Sequence, residues 1–219
     1  MKIGFIGAGF IARALAEHLI RNGYEVMLSN SRGPQTLRSA AAAMKCEVGT
    51  AQEAAQFGEI VALAVPIAAY QEIPADLLAG KIIIDIMNHY PDRDGPIPEL
   101  TEEGLPTSAL TARHFSKSRV VKAFNAIMAN DLINDGSPAG TPNRRALPVA
   151  SDDAQAKELV MTLVDQCGFD PVDAGTIEDS WKFERARPAY CVYLTKEQLG
   201  ETLADTGRKA FVSEYSWRK

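Results

Sequence analysis

Near the start of the chain, Gly7-Ala8-Gly9-Phe10-Ile11-Ala12 fits the pattern G-x-G-x-x-G/A, directly after a short apolar run and at the opening of an amphipathic stretch. That context gives an otherwise weak pattern its meaning. Gly7 permits a tight turn. Gly9 has no Cβ, so a pyrophosphate can reach the backbone N–H groups at a helix N-terminus. Ala12 is small enough to let the helix pack against the strand. The chemistry implied is dinucleotide binding; a glycine-rich turn without a ligand is the alternative.

About 20 residues further on, an NAD-selective site carries an Asp or Glu that holds the ribose hydroxyls. This chain has Ser29-Asn30-Ser31-Arg32 instead. No carboxylate there repels a 2′-phosphate, Ser31 can donate to it, and the planar fork of Arg32 can pair with it. The expected cofactor is therefore NADP(H). The competing reading is a solvated Ser/Arg turn ahead of the next helix.

Residues that could move a proton are sparse, and no catalytic side chain is assigned. His89, beside Asn88 at a strand end, is the first candidate donor; Lys122, Tyr90 and His114 follow. Arg144-Arg145 and Arg185/Arg187 can contact an anionic acceptor or sit as solvated surface charge. Trp181, Phe183, Tyr190, Val192, Tyr193 and Leu194 can pack a core or interface, or wall an acceptor cleft. Cys46, Cys167, Cys191, His18, His89 and His114 show no metal-ligand spacing, so no metal site is expected.

The elements that would position these residues alternate between short apolar runs and amphipathic helical stretches, the pattern of a parallel sheet with helices on both faces. Strands are expected at residues 3–6, 26–29, 47–48, 60–65, 81–86 and 119–124, with helices at 11–21 and 34–44. Thr50 and Glu53 read as a capping box. Residues 91–118 read as an irregular connection around a short helix, and 134–148 as a proline-bearing loop. A strand–helix–strand unit then opens at 149–150, with its helix at 153–167 and its last strand at 171–173. Residues 178–219 read as helical. The fold class is α/β: a doubly wound, mostly parallel Rossmann sheet over residues 1–176, with a small helical extension at 177–219.

The turn GAGFIARALA, the turn NSRGP, the segment VVKAFN and the stretch DDAQAKELVMTLVDQCGFDPVDAG resemble the coenzyme F420-dependent NADP oxidoreductase family, in particular its bacterial dinucleotide-binding branch. The resemblance covers residues 1–187. It implies a cytoplasmic homodimer moving hydride between NADPH and a flavin-like acceptor such as the deazaflavin F420. By position it places Gly7, Ala8, Gly9, Phe10 and Ile11 on the pyrophosphate, and Asn30, Ser31 and Arg32 at the 2′-phosphate. Val65 and Pro66 would border the path between adenosine and nicotinamide, with Asn88, Asn125 and Ala126 near the nicotinamide. Capping of their own loops is the alternative for Asn88 and Asn125. Phe10 departs from the small or polar residue frequent in relatives, and the 134–148 stretch and the tail after Pro188 match no part of the family pattern.

Composition narrows the function classes. With 46% hydrophobic and 23% charged residues and a net charge of −5, the chain has an ordinary globular make-up and no general affinity for nucleic acid or anionic membranes. No apolar run approaches the roughly 18–20 residues of a membrane span, and Gly7-Ala8-Gly9 interrupts any signal-like stretch. An odd, scattered cysteine set fits a reducing compartment. Three functions compete. The first is an NADPH-dependent oxidoreductase with a flavin, deazaflavin or small quinone-like acceptor. The second is a hydroxyacid or ketopantoate-type reductase, which needs a larger helical second domain. The third is a non-catalytic NADP(H) sensor or regulatory protein.

Overall fold

The computed structural model describes residues 1–213 and 216. Six strands, β1 (Lys2–Ile6), β2 (Glu25–Ser29), β3 (Glu47–Gly49), β4 (Ile60–Leu63), β5 (Ile82–Asp85) and β6 (Arg119–Lys122), form one parallel sheet in the order β3-β2-β1-β4-β5-β6. Helices α1 (Phe10–Arg21), α2 (Arg38–Met44) and α3 (Ala51–Phe57) make the early crossovers. Beyond β5 come two single turns, α4 (Pro91–Asp94) and α5 (Pro98–Thr101), then α6 (Thr107–His114). After β6 follow α7 (Ala129–Asn134), β7 (Ala146–Val149), α8 (Ala154–Gln166), β8 (Asp170–Asp173) and α9 (Lys196–Asp205). The doubly wound α/β class and the C-terminal helix expected from the sequence are borne out.

Period-2 alternation sends the two faces of each strand into two cores. Ile3, Phe5, Ile60, Ala62, Ile82 and Ile84 pack on one side with Leu15 and Leu19 of α1 and Val160 and Leu163 of α8. Ile6, Val61, Leu63 and Ile83 pack on the other with Tyr70, Leu110 and Phe115. Thr50 and Glu53 form the expected capping box at α3.

Two stretches differ from the sequence reading. The loop expected to run to residue 148 ends earlier, because Ala146–Val149 is a strand despite Pro148. It pairs only with β8, in a separate two-stranded parallel sheet, so the N–H that proline lacks is not needed for a second ladder. The segment expected to be helical from 178 is largely irregular. A 3₁₀ turn covers Ile177–Phe183 and α9 is the one α-helix there among the described residues; residues 214–215 and 217–219 of that segment lie outside them. Leu199 and Leu203 of α9 pack with Ala146, Ala174, Phe183 and Tyr190 in a third apolar cluster.

Registry places the site. Ser29, Ile6 and Leu63 are level across β2, β1 and β4, as are Leu63, Asp85 and Lys122 across β4, β5 and β6. The residues that follow each strand therefore emerge along one sheet edge. The strand order reverses between β1 and β4, which is where an open parallel sheet leaves a crevice.

Candidate functional site

That crevice is a cleft of about 1160 Å³. Gly7, Ala8, Gly9, Phe10, Ile11, Asn30, Ser31, Arg32, Val65, Pro66, Asn88 and Asn125 all line it. Twelve of the thirteen positions named from the sequence thus come together from five strand ends. Ala126 does not: its side chain is buried in the third cluster, and its carbonyl accepts a hydrogen bond from the Cys191 N–H at 3.1 Å.

The two glycines of the turn have different causes. Gly7 has φ +105°, and a Cβ there would lie 2.3 Å from the Ala64 carbonyl oxygen, so the fold itself requires glycine. A Cβ on Gly9 would meet nothing within 4 Å. Packing gives no reason for a glycine at the mouth of α1, whereas a phosphate resting on the helix N-terminus does. Arg13, which sequence reasoning did not single out, donates from Nε to the Ala8 carbonyl at 2.9 Å and so fixes the turn. Gly9→Ala is expected to cost the fold less than about 1 kcal/mol. The same change should weaken NADPH binding at least about tenfold by crowding the phosphates; thermal melting and calorimetry check the two halves separately.

At the end of β2, the Asn30 side chain orders the turn. Its Oδ1 accepts from the Arg32 N–H at 3.1 Å, and its Nδ2 donates to Thr36 Oγ1 at 2.9 Å. Ser31 and the Arg32 guanidinium are exposed on the cleft rim, and neither side chain has a partner among the described residues. An unpaired Arg fork on a cleft wall free of Asp or Glu at this turn suits a phosphate ester.

On the opposite side, Asn88 and Asn125 clamp the ends of β5 and β6. Asn88 Nδ2 donates to the Asn125 carbonyl at 2.9 Å, and Asn125 Nδ2 donates to Asn88 Oδ1 at 3.2 Å and to the Phe183 carbonyl at 3.2 Å. Both therefore cap their loops and also line the cleft. Asn125 Oδ1 is buried with no partner among the described residues. Such an acceptor is costly to leave unpaired, by about 1–3 kcal/mol. The neighbouring Phe124 holds φ 59° and Cys191 φ 57°, both against the cleft. Bulky residues rarely adopt this left-handed conformation, and such strain concentrates at binding sites.

Among the candidate donors, only Tyr90 reaches the cleft. His89 is turned to the Gly95 carbonyl at 2.8 Å, and His114 to that of Ile73 at 2.8 Å. Lys122 is fully buried beneath the cleft, bonded to the Met87 carbonyl and to Thr107 Oγ1 at 3.0 Å, with Asp85 Oδ1 at 3.4 Å. Its carboxylate partner, Asp85, also accepts from Ser108, Thr111 and the Met87 N–H. Tyr90 shares a 2.8 Å hydroxyl–hydroxyl hydrogen bond with Tyr190. Burial, with Cys191 and Tyr90 beside it, pushes the Tyr190 phenol well above its ordinary value. Tyr190 joins the cleft from the C-terminal segment, as do Arg185 and Cys191. Trp181 and Phe183 are buried packing residues.

The adjacent arginines are a correction to both readings drawn from sequence. Arg144 and Arg145 are neither solvated nor in the cleft; their side chains are almost wholly buried. Arg144 pairs with Asp165 and Asp170, and Arg145 with Asp131 and Asp135. They tie the 134–143 loop to α7 and α8, using four carboxylates 10 to 26 residues away. Arg187 lies against Trp181 and Phe211, with ring centroids at 4.9 and 3.9 Å. Among the described residues no group of three His, Cys, Asp or Glu is placed to hold a metal, and no helix is long and apolar enough to cross a membrane.

Comparison with known proteins matches residues 2–89, which hold the glycine turn, the Ser/Arg turn and the first five strands, to the model of the family "NADP oxidoreductase coenzyme F420-dependent". That match covers about two fifths of the chain. A hypothetical protein from Sinorhizobium meliloti superimposes with a TM-score of 0.77 at 28% identity, over 90% of this chain and 96% of that one. A candidate F420-dependent NADP-reductase from Arthrobacter gives 0.66 at 28% identity, over 81% and 86%. The metalloreductase STEAP3 of Rattus norvegicus is 31% identical over 185 residues, 84% of this chain but 36% of the relative. The chain thus spans about a third of the length of the curated metalloreductases it matches. The family match over residues 2–89 and the α/β cleft agree on an NADP(H) site.

Phe10 stands out within this family frame, because it sits on the cleft and is 89% exposed. A side chain that gains so little from folding is expected to be removable: Phe10→Ala should change stability by no more than about 0.5 kcal/mol. Its effect should fall on ligand affinity instead, which comparison of unfolding midpoint with the NADPH Kd detects.

Proposed function

We propose that the protein is an NADP(H)-dependent oxidoreductase that passes hydride between NADPH and a flavin-like or deazaflavin acceptor. The observation that carries this reading is the pairing, in one cleft, of a phosphate-ready helix N-terminus and Arg32 with an Asn88/Asn125 wall across the sheet edge. Bound NADPH supplies a hydride from the nicotinamide C4; the acceptor takes it with a proton from solvent, and NADP+ remains. The protein's own work is alignment and exclusion of water. The Gly7–Ile11 turn and the Ser31/Arg32 pair bind the phosphates, and Arg13 holds the turn. The buried Asn125 Oδ1 suits the carboxamide N–H of a nicotinamide, and the Asn88–Asn125 clamp fixes the wall on which the ring would rest. No His or Lys is among the lining residues, and the two phenols there, Tyr90 and Tyr190, share a hydrogen bond, which fits an acceptor that takes its proton from solvent.

The test is NADPH oxidation under anaerobic conditions with FMN, riboflavin, F420 and a small quinone in turn. Turnover with an isoalloxazine or deazaflavin ring supports the reading. Tight NADPH binding without turnover on any of them favours the occupancy sensor instead.

A further inference from the structure

The residues assigned above leave one part of NADPH without a partner, the adenine base. The pyrophosphate has the α1 N-terminus and the 2′-phosphate has Arg32. Because the 2′-phosphate and the base hang on one ribose, the base lies beside the Ser31/Arg32 turn. Two elements supply the protein surface there. β3 pairs with β2 so that Gly49 is level with Ser29, which sets Ala51, the first residue of α3, next to that turn. The connection after β4 faces it: a 3₁₀ turn over Ile67–Glu72 follows Pro66, and the next turn, Ala75–Leu78, packs on α3. Ala51, Ala69, Glu72 and Ile73 all line the cleft, and Ile73 and Ala51 belong to the same apolar cluster. Small and apolar, Ala51, Ala69 and Ile73 suit the flat face of a base.

Glu72 differs from its neighbours. It is exposed on the cleft, and its carboxylate has no hydrogen-bond or ion-pair partner among the described residues. A carboxylate on the wall of a site for phosphates weakens binding unless the ligand brings a donor to it. At this end of NADPH the donors are the ribose 3′-hydroxyl, close to the 2′-phosphate, and the N6 amine of adenine, at the edge of the base furthest from the phosphates. The amine is therefore the donor that a carboxylate meets with least repulsion. We propose that Glu72 accepts a hydrogen bond from the adenine N6 amine and so selects adenine nucleotides over those whose base carries an oxygen at that position. This rests on the NADP(H) reading of the cleft. A merely solvated Glu72 predicts the opposite sign, since its removal would relieve repulsion of the phosphates and leave NADPH affinity equal or higher.

Deamino-NADPH carries hypoxanthine in place of adenine, so a carbonyl oxygen replaces the amine while every phosphate, both riboses and the nicotinamide are kept. Calorimetric titration of the full chain should show it binding at least about fivefold more weakly than NADPH. Glu72→Ala should weaken NADPH by about the same factor and bring the two nucleotides to within about twofold of each other. Glu72→Gln should also bind the two within about twofold, because its amide accepts from an amine and donates to a carbonyl oxygen. Glu72 is exposed and unpaired, so both variants should melt as the parent does. Equal binding of the two nucleotides by the unmodified protein, a preference that survives Glu72→Ala, or tighter NADPH binding by Glu72→Ala would overturn the proposal. Tight NADPH binding without discrimination between the bases removes the role of Glu72 alone, whereas binding of neither nucleotide overturns the NADP(H) reading and this proposal with it.

Discussion

Replacing Arg32 by alanine is expected to weaken NADPH binding by roughly 10–150-fold, while NADH binding stays within about twofold. The range is the loss of one charge-assisted contact of about 1.5–3 kcal/mol. The asymmetry follows from geometry. The Arg32 guanidinium has no partner among the described residues, so its removal breaks no internal bond. The turn that presents it is held by Asn30 through the Arg32 N–H, a bond that alanine keeps. The variant should therefore fold and melt as the parent does, and the whole effect should appear in the nucleotide that carries the extra phosphate. Calorimetric titration of both nucleotides reads it. A parallel loss of both would mean that the turn had collapsed or that Arg32 touches the shared part of the molecule.

The second large effect lies beneath the cleft floor. Lys122→Met should destabilise the protein by about 3–5 kcal/mol, because it strands Asp85 in a site with no other cation beside it among the described residues. Both side chains are fully buried. For a chain of this size the unfolding midpoint should fall by roughly 6–20 °C. Combining Lys122→Met with Asp85→Asn should recover most of the loss, since an amide still accepts from Ser108 and Thr111 and carries no charge. Recovery identifies charge burial as the cause; no recovery would place the loss in the bonds from Lys122 to Met87 and Thr107. Those bonds matter to the site because Met87 and Asn88 form the wall that Lys122 supports. Thr107 passes the connection on, its N–H and hydroxyl each donating to Glu184 at 2.6 Å, next to Arg185 of the cleft.

The legible parts of this molecule were local. The glycine turn, the Ser31/Arg32 turn and the alternation of apolar strands and amphipathic helices each declare themselves within about 20 residues, the span over which chain geometry and ligand contact are coupled. Register did the rest: once parallel strands align, residues that follow them share an edge, and Val65, Asn88 and Asn125 arrive there together. The illegible parts were long-range. Arg144 and Arg145 read as surface charge because four aspartates, from two helices and a strand, had to be placed around them before burial became affordable. Pro148 hid a strand, since nothing local shows that its outer edge lacks a ladder. Arg185 and Tyr190, candidates for the cleft by residue type alone, enter it together with Cys191 through an irregular segment with no periodicity to follow.

The most direct test of the central claim is an anaerobic mixing experiment with the full chain, NADPH and FMN, following nicotinamide absorbance and flavin bleaching together. The account predicts that one flavin is reduced for each NADPH oxidised, that NADH is much the poorer donor, and that Arg32→Ala removes most of that difference. If the protein binds NADPH tightly and selectively, yet no flavin, deazaflavin or quinone accelerates its oxidation, the cleft senses the nucleotide and does not transfer its hydride.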